Sequence, residues 1–580
     1  MVNSRLMNKN HLKQMQFFLF CGMLLVAAAK PALVFAIKEG EVGSEEERLR
    51  RPKLLEVPER SVIPIEIPPE EELPPAAAGA PPVRVSKVIM EGATLFSERE
   101  AGSIVSSLVN REVPLQELRV TAVSITRWYR SRGFVTSRAL VPAQTVEKGI
   151  VRIRVIEGKV GEVRIEGNRH FKTELLQRYV HVRPGEILQM HKLEDALRTL
   201  NAHPDRKVKL VLAPSPKPET TDLILQVTDH LPVHASYTVD TLGTKDTGLL
   251  RQSVVFSHGN LTGVDDQFLL RGIDTESGGL IGGALSYVRP ISDSGISATF
   301  DVSGVTSKVG EDLKGALARG DAVTISPGLV IPLIRRTNWE AEFVPGFDFK
   351  RIRTRQDEVS TSKDDLRVVR FSTAVLGEDK HGRSLLVEEM RWGIPNFLGG
   401  SHPEDIAASR AGAGGSFFRW VASALRIQQG PWGLSLLTRV TGQLASDRLV
   451  PAEQLRLGGS ETVRGYPEGE FLADYGFHST VELRAPLLEH LLPGAPNQNS
   501  FADRLARSLQ LIGFWDFGEG FLRGARANED KDMRLSGVGC GFRLRPTTES
   551  ILQADFGWPL GDRDAEKDRP RLHLVCRVGF

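Results

Sequence analysis

Residues 571–580, RLHLVCRVGF, close the chain with a strict alternation of two kinds of position. Leu572, Leu574 and Phe580 share one parity, while Arg571 and His573 share the other. Successive side chains of a β-strand point to opposite faces, so this segment predicts a strand with one apolar and one polar face. The alternation runs to the terminal aromatic residue, an ending that a soluble domain has no evident need for.

The same pattern extends back to about residue 231. Segments such as 296–303 and 477–485 alternate in the same way, between turns rich in Gly, Asp, Asn and Pro. A soluble β-sandwich would alternate too, whereas a membrane barrel turns its apolar face to lipid and its polar face to a watery lumen. About 350 residues at roughly 22 per strand and connection favour a closed antiparallel transmembrane barrel of about 16 strands.

The overall composition is that of a folded chain without a strongly charged partner. Of its 580 residues, 41% are hydrophobic and 25% charged. Lys and Arg total 74 against 72 Asp and Glu, a net charge of +2. This balance gives no basic excess of the kind that marks a nucleic-acid-binding protein.

The N-terminal residues carry a targeting signal. Arg5, Lys9 and Lys13 precede an uncharged apolar run of 13 residues, 17–29. A membrane-spanning helix needs about 20 such residues, so the pattern favours a secretory signal peptide over residues 1–36, with a short membrane anchor as the alternative. Cleavage there would leave Cys540 and Cys576, which is no disulfide framework.

Residues 37–82 are rich in Pro and Glu and predict an extended linker. Residues 44–56 could form a short polar helix, but Pro52 would kink or break it. Pro52 therefore argues against a stable helix over the whole of this segment.

Two similar units follow the linker. The segment GATLF at 92–96 recurs as GNRHF at 167–171, 75 residues later. Each follows an alternating strand, at 83–91 and 160–166, and each precedes a helix, a second helix and two strands, which in the first unit are expected at 135–141 and 151–156. Ser97 and Glu100 predict a capping box at the start of the first helix. The pattern predicts two tandem β-α-α-β-β modules, over residues 83–157 and 158–229, before a barrel over 230–580.

A set of motifs along the chain, in order, resembles the two-partner secretion transporters. Residues 457–466, LGGSETVRGY, look like the loop motif of this TpsB family, the haemolysin secretion/activation proteins of Gram-negative outer membranes. Phe514-x-Asp516-x-Gly518 looks like its later barrel motif. LVPAQ at 140–144 and the stretch that ends in Glu157-Gly158 resemble its first periplasmic POTRA module.

The resemblance implies a function and a set of partners. POTRA modules in the periplasm would bind an unfolded exoprotein, a TpsA-type adhesin or cytolysin, and the outer-membrane barrel would secrete it. Outer-membrane lipid would surround the barrel, and the barrel-assembly machinery would insert it. Which exoprotein is carried, and whether the transporter also activates it, are left open by the sequence.

The resemblance also implies a site inside the barrel. The loop motif would fold back into the lumen, where its arginine pairs with the aspartate of the barrel motif. The candidate residues are Gly458, Gly459, Val463, Arg464, Gly465 and Tyr466 in the loop, Phe514, Asp516 and Gly518 in the wall, and Phe580 as the C-terminal barrel signal.

The residues themselves are consistent with this pairing. Leu511 and Trp515 have the apolar parity of residues 509–518, so Asp516 would face the lumen. A bidentate arginine suits a carboxylate there. The alternative is that Arg464 is an ordinary solvated loop residue. In a water-filled pore we expect the pair to fix the loop's position and to add little stability.

Motifs of several enzyme classes are absent. The sequence contains no GxxxxGK[ST], GxSxG or HExxH pattern, so we expect no enzyme, cofactor or metal site. Two other functions compete with secretion. An assembly factor for other barrels is the runner-up, although such relatives usually carry more POTRA modules; a diffusion porin would lack them.

Overall fold

A computed structural model describes residues 46, 65–66, 82–309, 318–336, 338–356, 359–486, 508–526, 529–547, 549–561 and 569–580. The predicted signal peptide and most of the predicted linker lie outside these residues. The chain divides into two compact units, one of residues Glu59–Pro232 and one that joins Met1–Pro58 to Val233–Phe580.

Module 1 lies in the first unit, and its elements follow the predicted order with one short strand added between the two helices. Its elements are β2 (Val83–Val85), β3 (Lys87–Glu91), α1 (Glu98–Val105), β4 (Arg111–Val113), α2 (Leu115–Ser131), β5 (Arg138–Leu140) and β6 (Ile150–Ile156). A three-stranded sheet has the order β3-β6-β5, and β2 pairs with β4 in a second small sheet. Ser97 and Glu100 form the predicted capping box at the start of α1.

Two strands of module 1 are shorter than predicted. The strand predicted over 83–91 is divided at Ser86, because the carbonyl of Gly149 accepts hydrogen bonds from both Ser86 and Lys87 there. The strand predicted over 135–141 is reduced to β5, because Ser137 closes a turn by donating to the Phe134 carbonyl. Alternation alone did not reveal these local turns.

Module 2 repeats the arrangement and adds one strand. It comprises β7 (Lys159–Glu166), α3 (Thr173–Arg178), α4 (Met190–Asn201), β8 (Arg206–Pro214) and β9 (Thr220–Asp229). Its sheet has the order β1-β8-β9-β7, where β1 (Ile65–Glu66) comes from the linker and pairs in parallel with β8. Leu193, Leu197 and Leu200 of α4 are buried against this sheet, as the 3.6-residue period requires.

A carboxylate closes the repeated loop of each module. Glu157 accepts hydrogen bonds from the backbone of Thr94 and Leu95 and from the Tyr129 hydroxyl. In module 2, Asp229 accepts from three successive backbone N–H groups, those of residues 169, 170 and 171. Burial raises the pKa of each carboxyl, but these donated hydrogen bonds outweigh it and hold both pKa values below their ordinary range.

The second unit is a closed barrel of sixteen antiparallel strands within the described residues. They are β10 (Val233–Asp240), β11 (Arg251–His258), β12 (Gln267–Thr275), β13 (Leu280–Pro290), β14 (Ser297–Val309), β15 (Ala318–Arg335), β16 (Trp339–Gln356), β17 (Val359–Asp379), β18 (Gly382–Gly393), β19 (Phe417–Gln429), β20 (Ser435–Ala445), and, after the short β21 (Leu455–Leu457) and β22 (Phe471–Ala473), β23 (Tyr475–Pro486), β24 (Leu509–Phe521), β25 (Asp532–Leu544), β26 (Ile551–Pro559) and β27 (Arg571–Gly579). Short 3₁₀ turns lie at Ser106–Leu108, Phe397–Gly399, Pro431–Gly433 and Pro451–Glu453.

Closure depends on the C-terminal residues. Strand β27 pairs with β10, and Phe580 exchanges backbone hydrogen bonds of 2.8 and 3.1 Å with Ala235. We call the end where β10 begins the proximal end and the opposite end the distal end. Cys540 lies on β25 and Cys576 on β27, with β26 between them.

The two faces of the strands are divided as the alternation predicts. On β24, Leu511 and Trp515 are exposed outward, Trp515 by 49%, while Asp516 is 0% exposed on the inner side. One residue from the N-terminal segment also belongs to this unit. Glu46 is helical and buried, and the Ser303 hydroxyl of β14 donates a hydrogen bond to its carboxylate.

No helix in the part of the chain that the structure describes has both the length and the apolar character needed to cross a membrane.

Candidate functional site

The connection between β20 and β23 folds back into the barrel. We call its residues, 446–474, the lumen loop. It leaves the distal end of β20, and β21 pairs with β22 to form a hairpin whose tip contains Arg464. Leu457, Val463 and Tyr466 of this hairpin pack with Met533 and Leu535 of the β25 wall. The loop is therefore a packed element of the lumen.

Arg464 is held by three carboxylates of the barrel wall. Its Nε lies 2.7 Å from Oδ2 of Asp516 and its Nη2 3.0 Å from Oδ1, a bidentate pair. Its Nη1 lies 2.9 Å from Oε2 of Glu482 and 3.4 Å from Oδ2 of Asp555. The Arg464 backbone N–H also donates to Asp516. Main chain and side chain of the tip are thus fixed by one carboxylate.

Phe514 also contacts the guanidinium group of Arg464. Its ring centre lies 3.4 Å from the Arg464 Cζ atom, which is within the range of a cation–π contact. Phe514 and Asp516 are two residues apart on β24, so both side chains point inward. The F-x-D-x-G spacing therefore brings an aromatic ring and a carboxylate to the same guanidinium group.

The charges around Arg464 balance. Arg484 pairs with Glu482 at 2.8 Å, and Arg543 pairs with Asp555 at 3.0 Å. Together with Arg464, three guanidinium groups face three carboxylates. We expected this pair to lie in water, but Arg464 is 4% exposed and Asp516 0%. The hairpin and Phe514 exclude solvent, so losing either partner leaves a buried charge uncompensated, which costs about 3–5 kcal/mol.

Glycines of the wall leave room for the backbone of the loop tip. A methyl group at Gly537 would lie 2.0 Å from the Arg464 carbonyl oxygen, and one at Gly557 would lie 2.5 Å from the Gly465 nitrogen. Gly465 itself has φ +101°, which strongly favours glycine. The sequence analysis singled out Gly518 and missed Gly537 and Gly557, although glycines that alternate with larger residues at 537–541 are a visible signal.

The remaining candidate residues occupy separate positions. Gly458 and Gly459 lie in the left-handed region and form the turn after β21, where the Gly459 N–H donates to the Val463 carbonyl. Tyr466 is buried beside the tip. Phe580 lies at the seam between β27 and β10, in the wall of the barrel.

A second charged contact of the lumen loop was missed by the sequence analysis. Glu453 is 0% exposed and lies where the loop enters the hairpin. Its carboxylate is 2.7 Å from Nζ of Lys350 on β16, 3.0 Å from Arg419 on β19 and 3.4 Å from Arg391 on β18. No motif marks Glu453 in the sequence, because its partners belong to three other strands.

Further wall charges surround Glu453. Asp348 forms ion pairs with Arg391 and Arg370, and Glu389 pairs with Arg419 at 3.1 Å. The Glu453 cluster therefore comprises Lys350, Arg370, Arg391 and Arg419 against Asp348, Glu389 and Glu453. It has one more cation than carboxylates, and Glu453 is the member that the loop contributes.

A third contact ties the loop to its neighbours at the distal end. Asp474 accepts hydrogen bonds from Arg410 at 2.7 Å, from the Leu449 N–H at 3.0 Å and from the Arg523 N–H at 2.7 Å. Arg410 and Arg523 belong to the connections after β18 and β24. One buried carboxylate thus joins three distal connections.

Within the described residues, no group of three or more His, Cys, Asp or Glu side chains is placed to hold a metal ion. The expectation that the protein has no cofactor or metal remains a prediction.

Three family models match the chain. The model described as haemolysin secretion/activation protein ShlB/FhaC/HecB matches residues 219–544. The ShlB-type POTRA domain model matches residues 83–158, and a POTRA model described as surface antigen variable number repeat matches 158–205.

Curated proteins of similar sequence are transporters by name. The outer membrane transporter CdiB of Escherichia coli O6:K15:H31 (strain 536 / UPEC) is 26% identical over 436 residues, which cover 73% of this chain and 72% of the relative. The heme/hemopexin transporter protein HuxB of Haemophilus influenzae (strain 86-028NP) is 23% identical over 487 residues, 82% of this chain and 83% of the relative.

Solved structures share the fold. CdiB from Escherichia coli superimposes with a TM-score of 0.68 at 20% identity over the whole of both chains. BamA from Haemophilus ducreyi, in a form lacking POTRA domains 1–3, gives 0.52 at 12% identity and covers 86% of this chain and all of that one. The predicted fold class, tandem POTRA modules before a closed barrel of sixteen strands, is confirmed.

Proposed function

We propose that this chain, which belongs to the haemolysin secretion/activation protein family ShlB/FhaC/HecB, recognises an unfolded exoprotein through its POTRA modules and secretes it through the barrel. Membership of the family makes it a two-partner secretion transporter of the outer membrane, with its POTRA modules in the periplasm. The family is one of transporters, not of enzymes. The proximal end of the barrel is accordingly periplasmic and the distal end extracellular.

One observation carries the proposal for the barrel. A loop occupies the lumen of the barrel. It is held against the wall by hydrogen bonds, ion pairs and a small apolar cluster. A polypeptide can pass only after this loop moves. The ion pairs between the loop and the wall can be replaced by water or by other partners, so the loop can leave while the barrel wall stays closed. The lumen loop therefore blocks the lumen, and export requires its displacement.

Recognition is proposed for the edges of the POTRA sheets. The three-stranded sheet of module 1 has β3 and β5 at its edges, and an extended chain can add to such an edge through backbone hydrogen bonds. This mode reads side chains only weakly, which suits a client that is kept unfolded. In module 2 the β8 edge is already paired with β1 of the linker.

Co-expression tests the proposal. The chain is produced together with a candidate exoprotein, a large secreted β-rich protein whose gene neighbours that of the transporter if such a gene exists, and the culture medium is assayed for that protein. We expect export that depends on the transporter, and we expect deletion of residues 83–157 to stop recognition while the barrel still conducts ions. Export that survives the deletion would refute a recognition role for module 1. Loss of other outer-membrane barrels on deleting the whole transporter would favour an assembly factor instead.

A further inference from the structure

The outward-facing side chains of β15 and β16 form an apolar belt. On β15 the outward parity is apolar from Val323 to Ile331, a rise of about 27 Å, and Val323 and Ile325 are exposed. On β16 it is apolar from Trp339 to Phe349. A strand tilted by about 40° covers, over such a length, most of an apolar band about 25 Å tall. The two runs therefore belong to the lipid-facing belt of the barrel.

Aromatic side chains mark the extracellular edge of this belt. Trp392 of β18 is 60% exposed on the outer side and lies opposite Val369 of β17 in register. The centre of its ring is 5.4 Å from that of Phe418 on β19. Aromatic residues of membrane barrels collect at the two membrane–water interfaces. The outward positions just beyond Val369 and Phe349 therefore lie at the level of the lipid headgroups.

Cations occupy most of the charged outward positions beyond the belt. Among the described residues of β14–β17, six cations that are not buried share the outward side with two carboxylates, Asp321 and Asp365. A seventh cation, Arg367, is buried there and donates to the Leu398 carbonyl. We call the six cations the basic outer patch: Lys308, Arg319, Arg351, Arg353, Arg355 and Lys363.

Each carboxylate in this patch is shared among several cations. Asp365 lies 3.4 Å from Arg351, 3.0 Å from Arg353 and 3.2 Å from Lys363. Its side chain is 5% exposed, whereas those of Arg351 and Lys363 are 67% and 50% exposed. Asp321 is likewise shared, by two arginines at 3.2 and 3.4 Å. One buried carboxylate cannot neutralise three cations, so the exposed sides of Arg351 and Lys363 can pair with a further anion.

The far side of the barrel carries balanced charge at the same end. Arg534 of β25 is 69% exposed, lies opposite Glu519 of β24 in register and pairs with it at 2.7 Å. At this position one cation meets one carboxylate. The sharing of one carboxylate by three cations is therefore a local feature of the β14–β17 sector.

We propose that the basic outer patch binds the phosphate groups of a phosphorylated glycolipid, lipid A, in the extracellular leaflet of the outer membrane. Guanidinium and ammonium groups pair with phosphate oxygens through charge-assisted hydrogen bonds. The acyl chains of the same molecule would lie against the apolar belt, which begins directly below the patch. The proposal does not depend on the proposed function, because lipid binding can be measured without any exoprotein.

The test is the retention of lipid A by the purified protein. Full-length protein is immobilised in a neutral detergent, and the binding of fluorescent lipid A is measured at equilibrium. We expect saturable binding for which unlabelled lipid A competes much better than dephosphorylated lipid A or inorganic phosphate. Equal competition by dephosphorylated lipid A would mean that the apolar belt alone holds the lipid, and equal competition by phosphate would indicate a site for free anions. Either result, or the absence of saturable binding, would overturn the proposal.

Variants test the contribution of the patch itself. R351Q/K363Q removes two exposed cations and leaves Asp365 paired with Arg353, so the barrel should still fold and show a heat-modifiable band in gels. We expect its affinity for lipid A to fall about tenfold or more, since each Lys or Arg near a membrane surface adds to anionic lipid binding. R351K/K363R keeps both charges and should keep most of the affinity.

R534Q is the matched control, since it removes an exposed cation at the same end of the barrel outside the patch. Its affinity for lipid A should equal that of the wild type. An unchanged affinity in R351Q/K363Q, or an equal loss in R534Q, would refute a specific role for the patch.

Discussion

The lumen loop is fixed at two places by charges of opposite sign. At its tip the loop cation Arg464 forms ion pairs with three carboxylates, which lie on β23, β24 and β26. Just before the hairpin, the loop anion Glu453 forms ion pairs with three cations, which lie on β16, β18 and β19. The two sectors of wall could not exchange their contacts with the loop, so the charge pattern of the wall fits only one orientation of the loop.

The two anchors differ in what supports them besides charge. Arg464 has a bidentate partner, an aromatic ring and a wall cleared of side chains at Gly537 and Gly557. Glu453 has charge partners and a backbone carbonyl that accepts from Arg419. Loss of Arg464 should therefore remove the charge, aromatic and hydrogen-bond contacts of the loop tip together. Loss of the Glu453 charge should only change the charge balance of its cluster.

The largest effect is expected for R464A. The substitution leaves Asp516, Glu482 and Asp555 with two guanidinium groups and empties the space over Phe514. We expect export of the exoprotein to be abolished, while the barrel still inserts and migrates as a folded, heat-modifiable band in gels. R464K, which keeps the charge and loses the bidentate geometry, should retain part of the export. Normal export by R464A would end the anchor hypothesis.

A second, intermediate effect is expected for E453Q. Without this carboxylate the cluster holds four cations and two anions in a buried site, which disfavours the seated loop. In planar bilayers we expect more frequent openings than in the wild type. The double variant E453Q/K350M restores the original excess of one positive charge and should return the opening frequency toward the wild-type value. Openings unchanged in E453Q would mean that the tip alone holds the loop.

A smaller effect is expected for G537A. Its methyl group would overlap the Arg464 carbonyl oxygen, so loop or wall must shift, at about 1–3 kcal/mol for overpacking. Export should fall without being lost. G513A is the matched control, because Gly513 lies on neighbouring β24 with no heavy atom within 4 Å of a methyl group there. Equal export by the two variants would show that the close fit is dispensable.

The smallest effect is expected for the pH dependence of the stability of the periplasmic modules. In each module a single carboxylate, and not a balanced cluster of charges, holds the repeated loop. The pKa values of Glu157 and Asp229 are lowered in the folded state, so their stabilisation is present at neutral pH and is lost as pH falls through those values, below about pH 4. In full-length protein, urea-dependent proteolysis within residues 83–232 should increase as pH falls from 5 to about 3. E157Q should weaken that dependence, and an identical pH profile would count against the carboxylate.

Much of the architecture could be predicted because its signals are local. Alternation has a period of two residues, so the outward position of Trp515 and the inward position of Asp516 follow from the strand itself. The same holds for the buried face of α2, at Leu118, Ala122, Ile125 and Tyr129. Family, fold class and location, which the ordered motifs indicated, are likewise confirmed.

The sequence by itself determined which side chains face inward and which loop carries the cation. Only the tertiary structure decided that Glu453 meets Lys350, 103 residues away, that Gly537 lies under the loop tip and that Arg464 is shielded from water. The physical reason is that these contacts join the lumen loop to strands from different sectors of the wall. They exist only after closure has fixed the stagger of all sixteen strands, and no local pattern encodes that stagger.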